Sequence, residues 1–295
     1  MILATGITGF IGKHLLKSLI DKYGKENIVA LTSAPIVDCK YLLHNNYNFE
    51  ANYFADSGFS HINTILHAGA FAPKNNSTAN NIELCTSNIL NTQKLLSANL
   101  PEFKKFIFLS TLDVYDDDKI ITEESIVNPV SLYGSSKLYC EKMIEAWAKN
   151  NGKICQILRI GHVYGNGEEK YQKIIPITIN KILSGQNIEL WGEGTDLRTF
   201  IHVDDVVNAI IKSVELENYI YPINVVGDKS ISIYELIQKL IILSKKKCEI
   251  TKKETTTVTR NLIFDNSKLK KYLLSPQKTF DEGLLEEIKY METLL

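Results

Sequence analysis

The opening strand-like run MILAT leads straight into GITGFIGKHLL, which sets Gly6, Gly9 and Gly12 at a junction of strand and helix. Without a Cβ, glycines at such a turn permit tight bending and the close approach of a pyrophosphate, whose charge then meets the positive end of the following helix. The spacing is G-x-x-G-x-x-G, not G-x-G-x-x-G. A glycine triplet alone is a weak signal. Here the strand before it, the helix after it and its place at the head of an alternating chain make it a dinucleotide-binding turn in expectation.

The alternation continues down the chain. A helix is predicted from Lys13 to about Tyr23, then strands at NIVALT, near Tyr53 and at NTILHA, and a long helix from about Ala79 to Asn99. Strand FKKFIFLS, a helix from about Ser131 to Lys149 and strand ICQILRI follow. Continuous apolar strands separated by amphipathic helices are buried on both faces, which predicts an α/β fold with a doubly wound parallel sheet of Rossmann type. Beyond Gly165 the order loosens, with a helix from Val203 to about Glu215, strand YPINVV, a helix from about Ile233 to Ser244, strand-like TVTRNLIF and a last helix near Glu282 to Leu294. The expected division is a dinucleotide-binding domain over 1–165 and 199–226, and a smaller interwoven C-terminal substrate lobe over 166–198 and 227–295.

Composition narrows the partners. A net charge of −1 over 295 residues argues against nucleic acid and anionic membrane, so small molecules are expected. No apolar run approaches membrane-spanning length, and Met1 runs into ILATG without a basic leader, which reads as cytoplasmic. Five cysteines, widely spaced and without C-x-x-C, suit reduced thiols and neither a disulfide framework nor a zinc site; no metal is expected. Of 33 basic side chains only Arg159, Arg198 and Arg260 are arginine, so each invites the question of what its planar fork is for.

Two stretches read Tyr-x-x-x-Lys. In SLYGSSK, Tyr133 and Lys137 lie one helical turn apart and share a face. An ammonium beside a phenol favours the phenolate, which suits a side chain that exchanges a proton with a carbinol. FLSTLDVY delivers Ser110 and Thr111 at the C-terminal edge of the preceding strand, where such sheets hold ligands, and Thr111 is the expected third member. The second stretch, YDDDK from Tyr115 to Lys119, contains three aspartates in a polar loop and is dismissed.

With these motifs in place, the sequence resembles the extended short-chain dehydrogenase/reductase family of nucleotide-sugar epimerases, dehydratases and reductases. The likeness is carried by GITGFIG, NTILHAGA, Asn88, STLDVY, YGSSK, LRIGHVYG, WGEGTDLRTFIHVDDVV, INVVG and FDNSK followed by DEGL. It implies Thr111, Tyr133 and Lys137 as catalytic residues, Tyr133 and Lys137 also contacting the cofactor. It implies further cofactor contacts at Gly6, Thr8, Gly9, Phe10, Ile11 and Gly12, at Ala68, Gly69 and Ala70, and at Asn88. It places a nucleoside diphosphate sugar in the second lobe, with Arg198 near its diphosphate or ribose, and implies a homodimer through the two long helices.

Cofactor choice turns on the end of the second strand. ALTSAP carries no acid for the adenosine ribose and no neighbouring arginine; Ser33 and Lys40 are the candidates there, so NADP(H) is favoured over NAD(H). Asp56 reads equally as a partner of the adenine amino group or as a solvated loop acid, and Arg159 as a structural ion pair or a ligand contact. Dehydratases of the family resemble one another in an acidic pair just after the catalytic Thr; here Leu112 and Asp113 stand there, which counts against dehydration. Asp113 reads as a lone base or as a capping or ribose-binding residue, and His162 as a donor to the diphosphate or as part of a polar wall. The expected activity is reduction of a nucleotide-linked 4-keto-6-deoxyhexose by NAD(P)H. Its alternatives are an NAD-retaining 4-epimerase and a catalytically silent NAD(P)-binding protein.

Overall fold

The computed structural model describes residues 1–50, 52–74, 78–116, 120–220, 222–255, 261–274 and 276–295. Among them the strands are β1 (Ile2–Thr5), β2 (Ile28–Thr32), β3 (Lys40–Leu43), β4 (Thr64–His67), β5 (Lys105–Thr111), β6 (Ile154–Ile160), β7 (His162–Tyr164), β8 (Ile188–Trp191), β9 (Leu197–His202), β10 (Ile223–Val225), β11 (Ser230–Ser232) and β12 (Ile250–Lys253). The helices are α1 (Phe10–Tyr23), α2 (Tyr53–Asp56), α3 (Ile82–Leu96), α4 (Leu132–Asn151), α5 (Ile174–Leu183), α6 (Val203–Glu215), α7 (Ile233–Ser244), α8 (Ser267–Tyr272) and α9 (Phe280–Glu292).

Seven strands form the central sheet in the order β3-β2-β1-β4-β5-β6-β10. Neighbours from β3 through β6 pair in parallel. Every residue of β1, β2, β4 and β5 is buried, as a sheet covered by helices on both faces requires. The fold is thus the doubly wound α/β type that the strand–helix alternation predicts.

Two compact units emerge, one of Met1–Asp116, Ile126–Ile160 and Val207–Ile223, the other of Asp117–Ser125, Gly161–Val206 and Asn224–Leu295. The division differs from the expected one at four places: residues 120–125, 161–165, 199–206 and 224–226 all fall in the second unit. Residues 199–206 fall in the second unit because β9 pairs with β7 and β11 in a separate three-stranded sheet. Residues 120–125 join it too, through a bridge from Ile121 to Phe264 and a bond from the Asn224 amide to Glu123.

The first unit is built on an aromatic core that includes Phe54, Phe103, Phe106, Phe108 and, at its margin, Trp147. The second packs α5, α7 and α9 around Ile179, Leu236, Leu240 and Leu284, with capping boxes at Ser232/Glu235 and Thr279/Glu282 starting α7 and α9.

Several sequence expectations are corrected. The segment near Tyr53 is the short helix α2; the third strand lies earlier, at Lys40–Leu43, and as an edge strand it buries only Leu42, which hides its apolar pattern. Helix α5 is masked in the sequence because IIPITINKIL carries Pro176, which lacks an N–H and is tolerated in the first turn, where an N–H would have no helical partner. Residues 256–260 of the strand-like tail, Arg260 among them, lie outside the described residues, as do residues 117–119 of the second Tyr-x-x-x-Lys stretch and Tyr221. Asn261 to Ile263 are not strand, and Phe264 forms an isolated bridge to Ile121.

Candidate active site

The glycine turn is closed to side chains. Gly6 adopts φ +71, and a Cβ on it would stand 2.5 Å from the Gly69 nitrogen; on Gly12 it would stand 2.0 Å from the Gly6 carbonyl oxygen. Their bareness lets the β1–α1 turn seat against the end of β4. Helix α1 begins at Gly9 with no side-chain cap and no acid in its first turn, so its positive end is open to an anion.

A cavity of about 230 Å³ opens at this turn. Of the residues expected to bind cofactor, Gly6, Thr8, Ser33, Gly69 and Ala70 line it. Gly9, Phe10, Ile11, Gly12 and Ala68 belong to the turn, the first helical turn and the strand end, outside the lining. His44, Tyr47 and Asn91 line it as well, and sequence reasoning missed all three. The residues lining it include no Asp, Glu, Lys or Arg. A bare helix end, a cradle a Cβ would fill and a neutral wall fit a nicotinamide dinucleotide.

Three expected contacts fall elsewhere. Asp56 ends α2 on the surface and is not in the lining, because the chain after β3 folds His44 and Tyr47 into that place. Lys40 starts the exposed edge strand. Asn88 is 1% exposed, and its carboxamide is spent on neighbours: it accepts from the Phe71 amide at 2.8 Å and donates to the Phe71 carbonyl and Ser136. It braces the loop that lines the cavity; Asn91, one turn on, reaches the lining.

Thr111 ends β5, and its hydroxyl is hydrogen-bonded to the Tyr133 phenol while accepting from the Asp113 amide at 3.2 Å. Close approach depends on Gly134, where a Cβ would lie 2.2 Å from the Asp113 carbonyl oxygen. Ser131 caps α4 by accepting from the Gly134 amide. Phe71 meets the Tyr133 ring edge-on at 6.2 Å. Lys137 is 3% exposed; its ammonium donates to the Leu109 carbonyl at 2.5 Å and lies 4.3 Å from the centre of the Phe108 ring.

Burial, reinforced by the charge of Asp113, holds the Tyr133 phenol well above its ordinary pKa, with the Thr111 bond opposing. Burial pushes Lys137 down to about 8, with Glu141 among the groups opposing. The expectation that Lys137 lowers the tyrosine is therefore corrected: the ammonium is engaged with Leu109 and Phe108, and Tyr133 is a protonated acid at neutral pH.

Leu112 is buried and Asp113 exposed at the start of the turn after β5. Arg159 resolves as an ion pair, its guanidinium held by Glu141 at 2.7 Å, both within the first unit. In the second unit His162 and Arg198 come together on β7 and β9, and burial, Arg198 and Lys173 push His162 down to about 4, leaving a neutral imidazole. Arg198 donates to its own strand at the Leu197 carbonyl. A larger cavity of about 1000 Å³ in the second unit is lined by none of the expected substrate residues. Beside it the ligand atoms of His202, Asp204 and Glu286 lie within 4.8 Å of one another, but the two carboxylates hold the Lys278 ammonium at 2.8 and 2.6 Å.

Comparison with known proteins places this geometry. Residues 2–225 match the model of the NAD dependent epimerase/dehydratase family. A dTDP-D-glucose 4,6-dehydratase of Dictyostelium discoideum is 30% identical over 82% of this chain and 62% of its own length. The trifunctional UDP-glucose 4,6-dehydratase/UDP-4-keto-6-deoxy-D-glucose 3,5-epimerase/UDP-4-keto-L-rhamnose-reductase of Arabidopsis thaliana is 27% identical over 96% of this chain and 45% of its own. The chain thus spans less than two thirds of either relative. The structure of a UDP-glucose 4-epimerase from Thermotoga maritima with UDP-glucose superposes with a TM-score of 0.86 at 25% identity, covering 99% of each chain.

Proposed function

The chain belongs to the NAD dependent epimerase/dehydratase family, and we propose that within it the protein reduces C4 of a nucleoside diphosphate-linked 4-keto-6-deoxyhexose. The observation that carries this reading is a protonated Tyr133 hydrogen-bonded to Thr111, followed by Leu112 and Asp113 in place of an acidic pair. Reduction of a ketone needs a proton donor at the oxygen, and a phenol held above its ordinary pKa enters as one. Loss of water needs an acid and a base at neighbouring carbons, and Leu112 supplies neither.

A bound nicotinamide supplies the hydride. Thr111 orients the carbonyl, Tyr133 releases its proton to the forming alkoxide, and Lys137 holds the nicotinamide ribose. Arg198 offers a forked cation to the diphosphate, and neutral His162 a single N–H. Burial, with the charge of Asp113 in support, keeps Tyr133 protonated. NADP(H) is favoured over NAD(H), since the cavity at Ser33 carries no acid to prefer a free ribose hydroxyl. Exposed Ile82, Leu90, Leu132 and Tyr139 on α3 and α4 support a homodimer built on those helices.

The test is loss of reduced-nicotinamide absorbance on adding freshly generated dTDP-4-keto-6-deoxyglucose, with NADPH and NADH in parallel. Oxidation of cofactor is the expected result. A second reading, an NAD-retaining 4-epimerase, is favoured by the likeness to the Thermotoga maritima epimerase; tightly bound NAD in the purified protein, with sugar interconversion and no added cofactor, would replace the first.

A further inference from the structure

Beside the reacting trio lies a charged group that the proposed chemistry leaves unused. Glu141 is 0% exposed and Arg159 3%. A fully buried ion pair contributes little net stability, because desolvation of both charges offsets their attraction. Its presence calls for another reason, and the bonding pattern supplies one.

Glu141 sits on α4 one turn beyond Lys137 and two beyond Tyr133, on the same face. Arg159 sits on β6 directly across from Ser110 of β5. Arg159 donates through Nε at 3.1 Å and Nη2 at 2.7 Å to the two carboxylate oxygens of Glu141, and through Nη1 at 2.5 Å to the Tyr115 hydroxyl, whose ring lies 4.8 Å from the guanidinium carbon. Ser110 donates to the same carboxylate at 2.5 Å. Thr111 is therefore clamped from both sides: Ser110 before it is tied to α4, and Tyr115, at the far end of its turn, is tied to Arg159. Three consecutive strand residues, Leu109, Ser110 and Thr111, each bond one α4 residue, respectively Lys137, Glu141 and Tyr133. An ammonium at position 159 could not make the three bonds of this fork, which accounts for an arginine in a chain whose basic residues are nearly all lysine.

We propose that Glu141 and Arg159 are positioning residues for the reaction: they act by holding Thr111 and Lys137 in register with Tyr133. The inference rests on the trio being the reacting group. Sub-ångström placement governs such chemistry more than ground-state binding, so the pair is expected to affect turnover ahead of affinity.

Two variants test it in the full chain. Arg159→Lys keeps the buried charge and loses the fork; Tyr115→Phe keeps the ring and loses only the hydroxyl contact. Both are expected to lower kcat, the first by about tenfold or more and the second several-fold, with KM and cofactor Kd within about twofold of wild type. The pH profile of kcat should shift by roughly half a unit in Arg159→Lys, because Glu141 no longer faces Lys137 squarely. A fall in melting temperature with unchanged kcat and pH profile in both variants would reduce the pair to a structural role and overturn the proposal. If Arg159→Lys does not fold, Tyr115→Phe decides alone. If wild type turns over no keto-sugar, the functional reading fails. The pair is then judged by NMR of tyrosine labelled at the ring carbon bearing the hydroxyl: a moved Tyr133 resonance in Arg159→Lys or Tyr115→Phe supports it, and an unchanged one overturns it.

Discussion

The ammonium of Lys137 lies 2.5 Å from the carbonyl oxygen of Leu109 and is buried with it. One backbone oxygen and an aromatic face do not replace full hydration, which is why burial brings this lysine to about 8. Below that pH it is charged and, in the role proposed for it, a donor to a ribose hydroxyl; above it the charge is lost. Dissociation constants for the reduced dinucleotide should therefore rise by roughly tenfold between pH 7 and 9.5. Fluorescence titration of wild type and Lys137→Met checks this: the variant should bind weakly at both pH values, and a flat wild-type response would refute the assignment.

Replacing Tyr133 by Phe removes the proton donor and the bond to Thr111 while leaving the packed ring against Phe71. Turnover should fall by about 10²–10⁴ with the far-ultraviolet dichroism and cofactor affinity little changed. Near-normal kcat in Tyr133→Phe would remove this residue from the chemistry.

Ser33 lines the cavity at the glycine turn, just after β2, and no acid joins it in the lining. Ser33→Asp should set a carboxylate against a 2′-phosphate and accept from a free ribose diol instead, moving the NADPH to NADH ratio of kcat/KM by roughly tenfold or more toward NADH. Steady-state rates with both cofactors measure it; no change in the ratio would place the adenosine ribose elsewhere.

Glu168 and Glu287 are buried in the second unit, where burial and neighbouring carboxylates push them up to about 9 and about 8. Their folded pKa values exceed the ordinary 4.5, so the native state binds more protons across that interval and stability falls as pH rises through it. Asp205, pushed up to about 6, acts in the same direction over a narrower range. Glu287→Gln is uncharged throughout and should be more stable than wild type at pH 8.5 by on the order of 1–3 kcal/mol, with little difference near pH 5. Calorimetric melting at the two pH values tests the sign, and parallel curves would contradict it.

Leu90 and Tyr139 are 48% and 59% exposed on α3 and α4. If these helices form the homodimer contact, Leu90→Glu with Tyr139→Glu should yield a monomer in sedimentation at micromolar concentration where wild type is a dimer. A monomeric wild type would dispose of the contact.

Local signals made part of this legible. The glycine turn, the Tyr133–Lys137 spacing and Thr111 at a strand end are each settled within a few residues, so sequence alone located them. His44 and Tyr47 were hidden because the strand before them is an exposed edge and because the loop carries Tyr47 at positive φ beside Asn46, a conformation that asparagine favours but tyrosine rarely takes. Asp56 failed for the same reason, its strand being placed ten residues too late. The tuning of Tyr133 was misread because it depends on burial and on Asp113, a matter of packing that spacing does not encode. In the second unit β7 and β11 are three residues long, too short for any periodicity to register.

The segment Val207–Ile223 completes the first unit: Lys22 reaches Glu215, Lys105 reaches the Val214 carbonyl, and Gln156 donates to the Asn218 carbonyl at 2.6 Å. During synthesis the chain emerges from its N-terminus, so the glycine turn and the Tyr133 helix leave the ribosome long before the residues that finish their unit. The nascent half-sheet must wait, with β6 unpartnered at one edge, until residue 223 is outside the exit tunnel. Until then the open edge of β6 is a surface on which a second chain can pair, so slow emergence of that last segment lengthens the exposure.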